Sequence, residues 1–93
     1  MPDILISRPH ALGLDGARRA ADEVAGRLRD DFGVTTRRDG DTIWVEGRGV
    51  RGRLDAGPHE VRVEASLGLA ARPFRRLLRR VIESELDRLA PAP

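Results

Sequence analysis

Residues 34–67 read VTTRRDGDTIWVEGRGVRGRLDAGPHEVRVEASL, a stretch in which apolar and polar side chains alternate almost throughout. A period of two is typical of β-strands with one buried face and one face in water. Turn sequences such as Asp39-Gly40-Asp41 and Gly57-Pro58 divide the stretch into short runs. Because short turns join neighbouring antiparallel strands, the stretch predicts a four-stranded antiparallel meander. Its predicted strands are residues 34–38, 42–46, 50–55 and 61–67.

An amphipathic helix is predicted immediately before this meander. Apolar side chains recur there at steps of three and four, whereas arginines and acids occupy the other side. Gly13 or Asp15 is expected as the N-cap, and Gly33 as a left-handed C-terminal cap. Many members of the apolar stripe are alanines, which favours close approach of the helix to a sheet. The stripe comprises Leu14, Ala17, Ala21, Val24, Ala25, Leu28 and Phe32.

The chain also contains a short first strand and a last helix. Ile4 and Ile6 alternate with polar residues within residues 3–7, which predicts a strand. The last helix is bounded by Pro73 near its first turn and by Pro91 after its end. Its apolar residues at helical spacing are Phe74, Leu77, Leu78, Val81, Ile82, Leu86 and Leu89.

The predicted order is β-α-β-β-β-β-α, an α+β fold in which both amphipathic helices pack on one face of an antiparallel sheet. We expect residues 1–93 to form a single domain, since the chain is too short to divide. A curl of the sheet around the last helix, as in helix-grip proteins, is left open. Periodicity does not give the strand order, but a first strand that enters a helix often pairs with a late strand.

Composition excludes several chemistries. Cysteine is absent and all 17 basic residues are arginines, so disulfides, thiolate metal sites and Schiff-base lysines are excluded. There is no apolar run of about 18 residues and no pattern of a signal peptide, so we expect a cytoplasmic protein without a membrane span. The formal net charge is only +2. We predict no catalytic residues, no cofactor and no metal ion.

Two patterns that suggest chemistry have simpler explanations. The segment Gly47-Arg48-Gly49-Val50-Arg51-Gly52 matches G-x-G-x-x-G, but strands are predicted on both sides rather than a strand and a helix. These glycines are therefore interpreted as a turn and a position of close packing. His10 and His59 lie in predicted connections without any accompanying metal-ligand or triad pattern. Hydrogen bonding to nearby backbone is the preferred role for both histidines.

Trp44 is the sole tryptophan and falls out of phase with Ile43 and Val45. If those two neighbours point toward the helices, Trp44 lies on the outer face of the sheet. An exposed aromatic residue can stack on a base or seat against a partner. The preferred interpretation is a half-covered ring that lies over arginine stems.

Five arginines without an acid begin the last helix, followed by Glu83, Glu85 and Asp87. This order opposes the helix dipole and places like charges four residues apart, so it costs local stability. A locally unfavourable pattern indicates either an anion-facing surface or an ordinary solvated face in an arginine-biased chain. The candidate contact residues are Arg72, Arg75, Arg76, Arg79 and Arg80.

Several short motifs, in this order and spacing, resemble the polyhydroxyalkanoic acid system proteins, also described as polyhydroxyalkanoate granule region proteins. The resemblance covers nearly the whole chain, although an aromatic residue associated with the segment before Gly40 is missing here. Arg8, Pro9 and His10 correspond to the N-terminal signature of that family. The motifs are Arg8-Pro9-His10, Leu12-Gly13, Gly40-Asp41, Gly49-Val50-Arg51-Gly52 and Arg72-Pro73-Phe74.

The resemblance implies a bacterial cytoplasmic protein linked to storage-polyester metabolism, and it implies no catalytic residues. The leading hypothesis is a non-enzymatic accessory protein that acts at polyhydroxyalkanoate granules by surface or protein contact. A helix with an arginine-rich face beside an apolar stripe suits such an interface. The alternative is a small-ligand or nucleic-acid binding module of helix-grip-like shape, with nucleic acid the less expected partner. A homodimer is left open.

Overall fold

A computed structural model describes residues 1–91, which form a five-stranded antiparallel sheet with two α-helices on one face. The predicted element order and the α+β class are confirmed. The elements are β1 (Ile4–Pro9), α1 (Gly13–Phe32), β2 (Thr35–Asp39), β3 (Thr42–Gly47), β4 (Val50–Ala56), β5 (Glu60–Leu67) and α2 (Arg75–Leu89), with a 3₁₀ turn at Arg72–Phe74 before α2.

The strands lie in the order β1-β5-β4-β3-β2. The first strand therefore pairs with the last one, as the sequence suggested, and Ile4 stands opposite Ala65. Because β1 and β2 are the two edges, α1 must cross the sheet from one edge to the other. The meander itself accounts for the other three strand pairings.

The core lies between the sheet and the helices. Four strands, β1, β3, β4 and β5, contribute their inward sets of alternating residues, whereas β2 contributes no buried residue. The helix α1 contributes alanines, of which Ala17, Ala21 and Ala25 are at most 1% exposed. Small side chains let the helix backbone approach the sheet closely, as expected from the sequence. The largest fully buried side chains are Ile4, Val24, Leu54, Val61, Val63, Ile82 and Leu86.

Ion pairs hold each helix to an edge strand. On β1, Arg8 Nη1 donates to Asp87 of α2 at 2.5 Å. On β2, Arg38 pairs with Asp22 of α1. Both arginines occupy inward-facing positions in the strand register, opposite Val61 and Ile43 respectively. These inward-facing charged side chains thus lie on the edge strands, at the margins of the core, where they are partly exposed to solvent.

The ends of α1 agree with the sequence at one terminus and not at the other. Gly33 is left-handed, with φ 67° and its N–H bonded to the Arg29 carbonyl at 3.0 Å, which confirms the predicted C-cap. The predicted N-cap is wrong. The helix begins at Gly13 after Leu12, without a side-chain cap, and Asp15 lies inside the first turn. There the Asp15 carboxylate is 3.3 Å from Arg18 Nη1.

Candidate interaction surface

Four of the five cluster arginines lie in the first two turns of α2, as predicted, whereas Arg72 lies in the 3₁₀ turn before the helix. Arg79 is ion-paired with Glu83 at 3.0 Å, one turn further along. The first turn of α2 contains no acidic residue. Positive charge therefore accumulates at the end of the helix where the dipole favours anions. Within residues 1–91, the cluster arginines without a carboxylate at salt-bridge distance are Arg72, Arg75, Arg76 and Arg80.

The apolar stripe of α2 is divided between core and surface. Leu78 is 2% exposed and packs in the core, whereas Phe74 and Leu77 are 55% and 48% exposed. Leu69, in the turn that precedes the 3₁₀ segment, is 82% exposed. The periodicity alone indicated one continuous stripe, but Leu78 in the first turn of α2 is in the core, whereas Phe74 and Leu77 remain exposed. We call the exposed set the α2 patch: Leu69, Arg72, Phe74, Arg75, Arg76, Leu77 and Arg80.

Trp44 lies on the outer face of the sheet and is 39% exposed, as predicted. In the register it stands between Arg37 of β2 and Arg53 of β4. This face also bears acids, so its charge is balanced. Outward positions along the strands carry the arginines Arg37, Arg51, Arg53 and Arg62 and the acids Asp39, Glu46, Asp55, Glu60 and Glu64. Such a face does not attract a polyanion, in contrast to the α2 patch.

The segment Arg8-Pro9-His10 organises the connection from β1 to α1. His10 is 4% exposed, and its ring bonds the Gly57 carbonyl at 3.0 Å and the Leu12 N–H at 3.1 Å. These are the backbone contacts expected of a histidine in a connection. The side chain of His59 is exposed, although its carbonyl accepts a hydrogen bond from the His10 N–H at 3.0 Å.

A buried carboxylate between the helices was not anticipated from the sequence. Glu85 is 7% exposed and accepts hydrogen bonds from Arg88 at 2.8 Å and from Arg27 of α1 at 2.7 Å. The Arg88 hydrogen bond, reinforced by its charge and by Arg27, lowers the pKa of Glu85 below the ordinary range of a glutamate. The feature of the sequence that could have indicated this burial is the position of Glu85 three residues after Ile82, on the buried side of α2.

The glycine-rich segment does not form a dinucleotide site. Arg48 and Gly49 form the turn between β3, which ends at Gly47, and β4, so strands lie on both sides as the sequence indicated. Gly52 permits close packing, because a Cβ there would lie 2.3 Å from the Glu64 carbonyl oxygen. The space between the sheet and the helices beside Leu28 holds only about 10 Å³. That volume accommodates at most one water molecule.

Residues 1–91 contain no cluster of three or more ligating side chains arranged for a metal ion. Neither helix in this part of the chain is long and apolar enough to cross a membrane. The features that remain are a small α+β sheet-and-helix domain and one cationic, partly apolar surface at the beginning of α2.

A family model described as "Putative polyhydroxyalkanoic acid system protein" matches residues 4–89. The match spans nearly the whole chain, including Arg8-Pro9-His10 and the α2 patch, and the chain belongs to this family. The resemblance noted in the sequence is thereby confirmed. No curated protein and no solved structure matches the chain.

Proposed function

We propose that this protein is a non-enzymatic accessory protein of the polyhydroxyalkanoate system that binds the surface of storage granules through the α2 patch. One observation carries the proposal: exposed Phe74 and Leu77 lie beside arginines that have no carboxylate partner within residues 1–91. Membership of the family supports the granule context. We further propose that the protein acts in the cytoplasm.

The chemistry of the α2 patch suits the boundary between an apolar phase and anionic groups. Leu69, Phe74 and Leu77 offer apolar area, and each neighbouring guanidinium can pair with surface carboxylates or phosphates. Binding an anion there would also relieve the repulsion between like charges at the N-terminal end of α2. The unfavourable local electrostatics of the free protein thus become favourable in the bound state.

The division of the α2 stripe limits how the protein binds. Leu78, Ile82 and Leu86 are in the core and are not available to a surface without unfolding. The contact therefore uses the exposed edge of a folded domain and does not insert a whole helix face. Such a contact is reversible, and it weakens as salt screens its exposed charges.

The outer face of the sheet and the interior are less suited to the alternative functions. The face around Trp44 balances arginines with acids, which does not favour nucleic acid. The interior space beside Leu28 is too small for an enclosed ligand. The granule proposal therefore depends on the α2 patch alone.

Sedimentation with isolated native granules tests the proposal. Leu77→Ser removes exposed apolar area from the α2 patch, and Leu5→Ser removes a leucine of almost equal exposure, 46% against 48%, from the outer face of the sheet. We expect the wild type and Leu5→Ser to sediment with granules and Leu77→Ser to remain largely in the supernatant. Equal sedimentation of both variants, or a wild type that stays in the supernatant, would contradict the proposal.

A further inference from the structure

An open apolar groove of about 300 Å³ lies at the end of the sheet nearest the beginning of α2. Val50, Leu67 and Ala71 line its base, Phe74 and Leu77 form one side, and Phe32 of α1 forms the other. This volume is at the lower end of the range for small-molecule sites, and an apolar lining is typical of such sites. The groove adjoins the small space between the sheet and the helices, with which it shares Phe32, Val50 and Leu78.

Among the described residues that line the groove, the one cation is Arg48. It has no carboxylate partner within residues 1–91, whereas Asp31, the acid at the rim, pairs with Arg27. A Cβ added to Gly33 would lie 3.3 Å from Arg48 Nε. The guanidinium is thus folded back over the end of α1, beside the groove.

The backbone that presents Arg48 is unusual. Its φ is 56°, the sole positive φ among the non-glycine residues of the described chain. Arg48 and Gly49 are the two central residues of the hairpin turn between β3 and β4, and such turns favour positive φ at both positions. The flanking Gly47 and Gly49 also have positive φ, at 131° and 79°. The β3–β4 turn therefore holds an arginine where glycine or asparagine would fit more easily.

We propose that this groove binds a free aliphatic monocarboxylate, with its hydrocarbon chain along Phe74 and Leu77 and its carboxylate on Arg48. An apolar groove with one guanidinium at its rim is complementary to a ligand that has an apolar body and a single anionic end. Arginine binds carboxylates through two parallel N–H donors. The site goes beyond the granule contact, because it takes a soluble ligand and depends on Arg48, which is not part of the α2 patch.

Titration of the folded protein with octanoate, followed by backbone amide NMR shifts and by calorimetry, tests this site. Acetate retains the carboxylate without the chain, and 1-octanol retains the chain without the charge. We expect saturable octanoate binding that is about tenfold or more tighter than binding of either control compound. Arg48→Gln should weaken octanoate binding by a similar factor, and Arg37→Gln, an exposed arginine on the sheet, should not.

Three results would overturn the site: octanol binding as tightly as octanoate, unchanged octanoate affinity in Arg48→Gln, or no saturable octanoate binding by wild type. An acidic amphipathic peptide that occupies the groove and is not displaced by octanoate would also overturn it, in favour of a protein partner. If Arg48→Gln does not fold, Leu77→Gln must weaken octanoate binding instead. Granule sedimentation of Arg48→Gln separates the two proposals, because its α2 patch is intact.

Discussion

His10 and Gly57 are joined by a hydrogen bond of 3.0 Å between the imidazole Nε2 and the backbone carbonyl. Because Nδ1 accepts the Leu12 N–H, Nε2 carries the proton and acts as the donor. One buried ring thus joins the β1–α1 connection to the β4–β5 turn, 47 residues further along the chain.

His10→Ala should therefore destabilise the protein by about 1–3 kcal/mol, since it leaves a partly buried carbonyl and a backbone N–H without their partner. His59→Ala should change the free energy of unfolding by less than about 0.5 kcal/mol, because that side chain is exposed. Urea denaturation of both variants provides the measurement. Equal stability of the two variants would show that the hydrogen bonds of His10 make no net contribution to the free energy of unfolding.

Two adjacent leucines of α2 test how the helix docks. Leu78→Ala should cost about 2–5 kcal/mol, because Leu78 is 2% exposed and its truncation leaves a cavity. Leu77→Ala should cost less than about 0.5 kcal/mol, because Leu77 is half exposed. Urea melts that give similar losses for both would mean that α2 packs differently along its first turns.

The sequence was sufficient for the α+β class and the order of the elements, because strand and helix periodicities are distinct along the chain. Alternation through residues 42–67 and the alanine stripe of α1 defined those elements and their buried faces, whereas β2, which is entirely polar, was placed by the turn at Gly40. The predicted N-cap of α1, Gly13 or Asp15, was late by one or by three residues, because the observed N-cap is Leu12 and makes no side-chain capping bond that the sequence could reveal. The pairing of β1 with β5 is a long-range contact, which the sequence could suggest but periodicity could not define.

The surface was harder to predict than the core. The arginine cluster was evident from its order along α2, but periodicity could not show that Phe74 and Leu77 stay in solvent while Leu78 enters the core. Their exposure depends on where the helix meets the sheet. The sequence did not indicate a role for Arg48, since its position at the groove arises because the β3–β4 turn lies close to the end of α1.

The buried carboxylate predicts a pH dependence of stability. The pKa of Glu85 is lowered, first by its hydrogen bond with Arg88. Because this pKa is lower in the folded protein than in the unfolded chain, the ion pairs stabilise the fold at neutral pH. That contribution is lost progressively as the pH falls below about 5. The urea midpoint should fall more between pH 7 and acidic pH for the wild type than for Glu85→Gln. An equal fall for both proteins would contradict this role of Glu85.

Two glycine-to-alanine substitutions should change the free energy of unfolding in opposite directions. Gly52→Ala should destabilise by about 1–3 kcal/mol, since its Cβ would meet the backbone of β5 at 2.3 Å. Gly26→Ala should stabilise by about 0.5–1 kcal/mol, because the position is inside α1 and its nearest neighbour is the flexible end of Arg29. Thermal melts of the pair check the packing of β4 against β5, and a tolerated Gly52→Ala would contradict it.

The central claim is that unpaired charge at the beginning of α2 binds the granule surface. Substitution by glutamine retains helix propensity and removes the charges. A control variant removes four exposed arginines elsewhere, Arg19, Arg37, Arg51 and Arg62. The test variant replaces Arg72, Arg75, Arg76 and Arg80.

The decisive measurement is the fraction of each protein that sediments with native granules over a range of salt concentrations. Wild-type protein and the control variant should sediment at low salt and be released as salt rises, because exposed charges are screened. The test variant should fold with equal or greater stability, since like-charge repulsion is relieved, and should remain in the supernatant at every salt concentration. Salt-insensitive sedimentation of the wild type, matched by the test variant, would contradict the account.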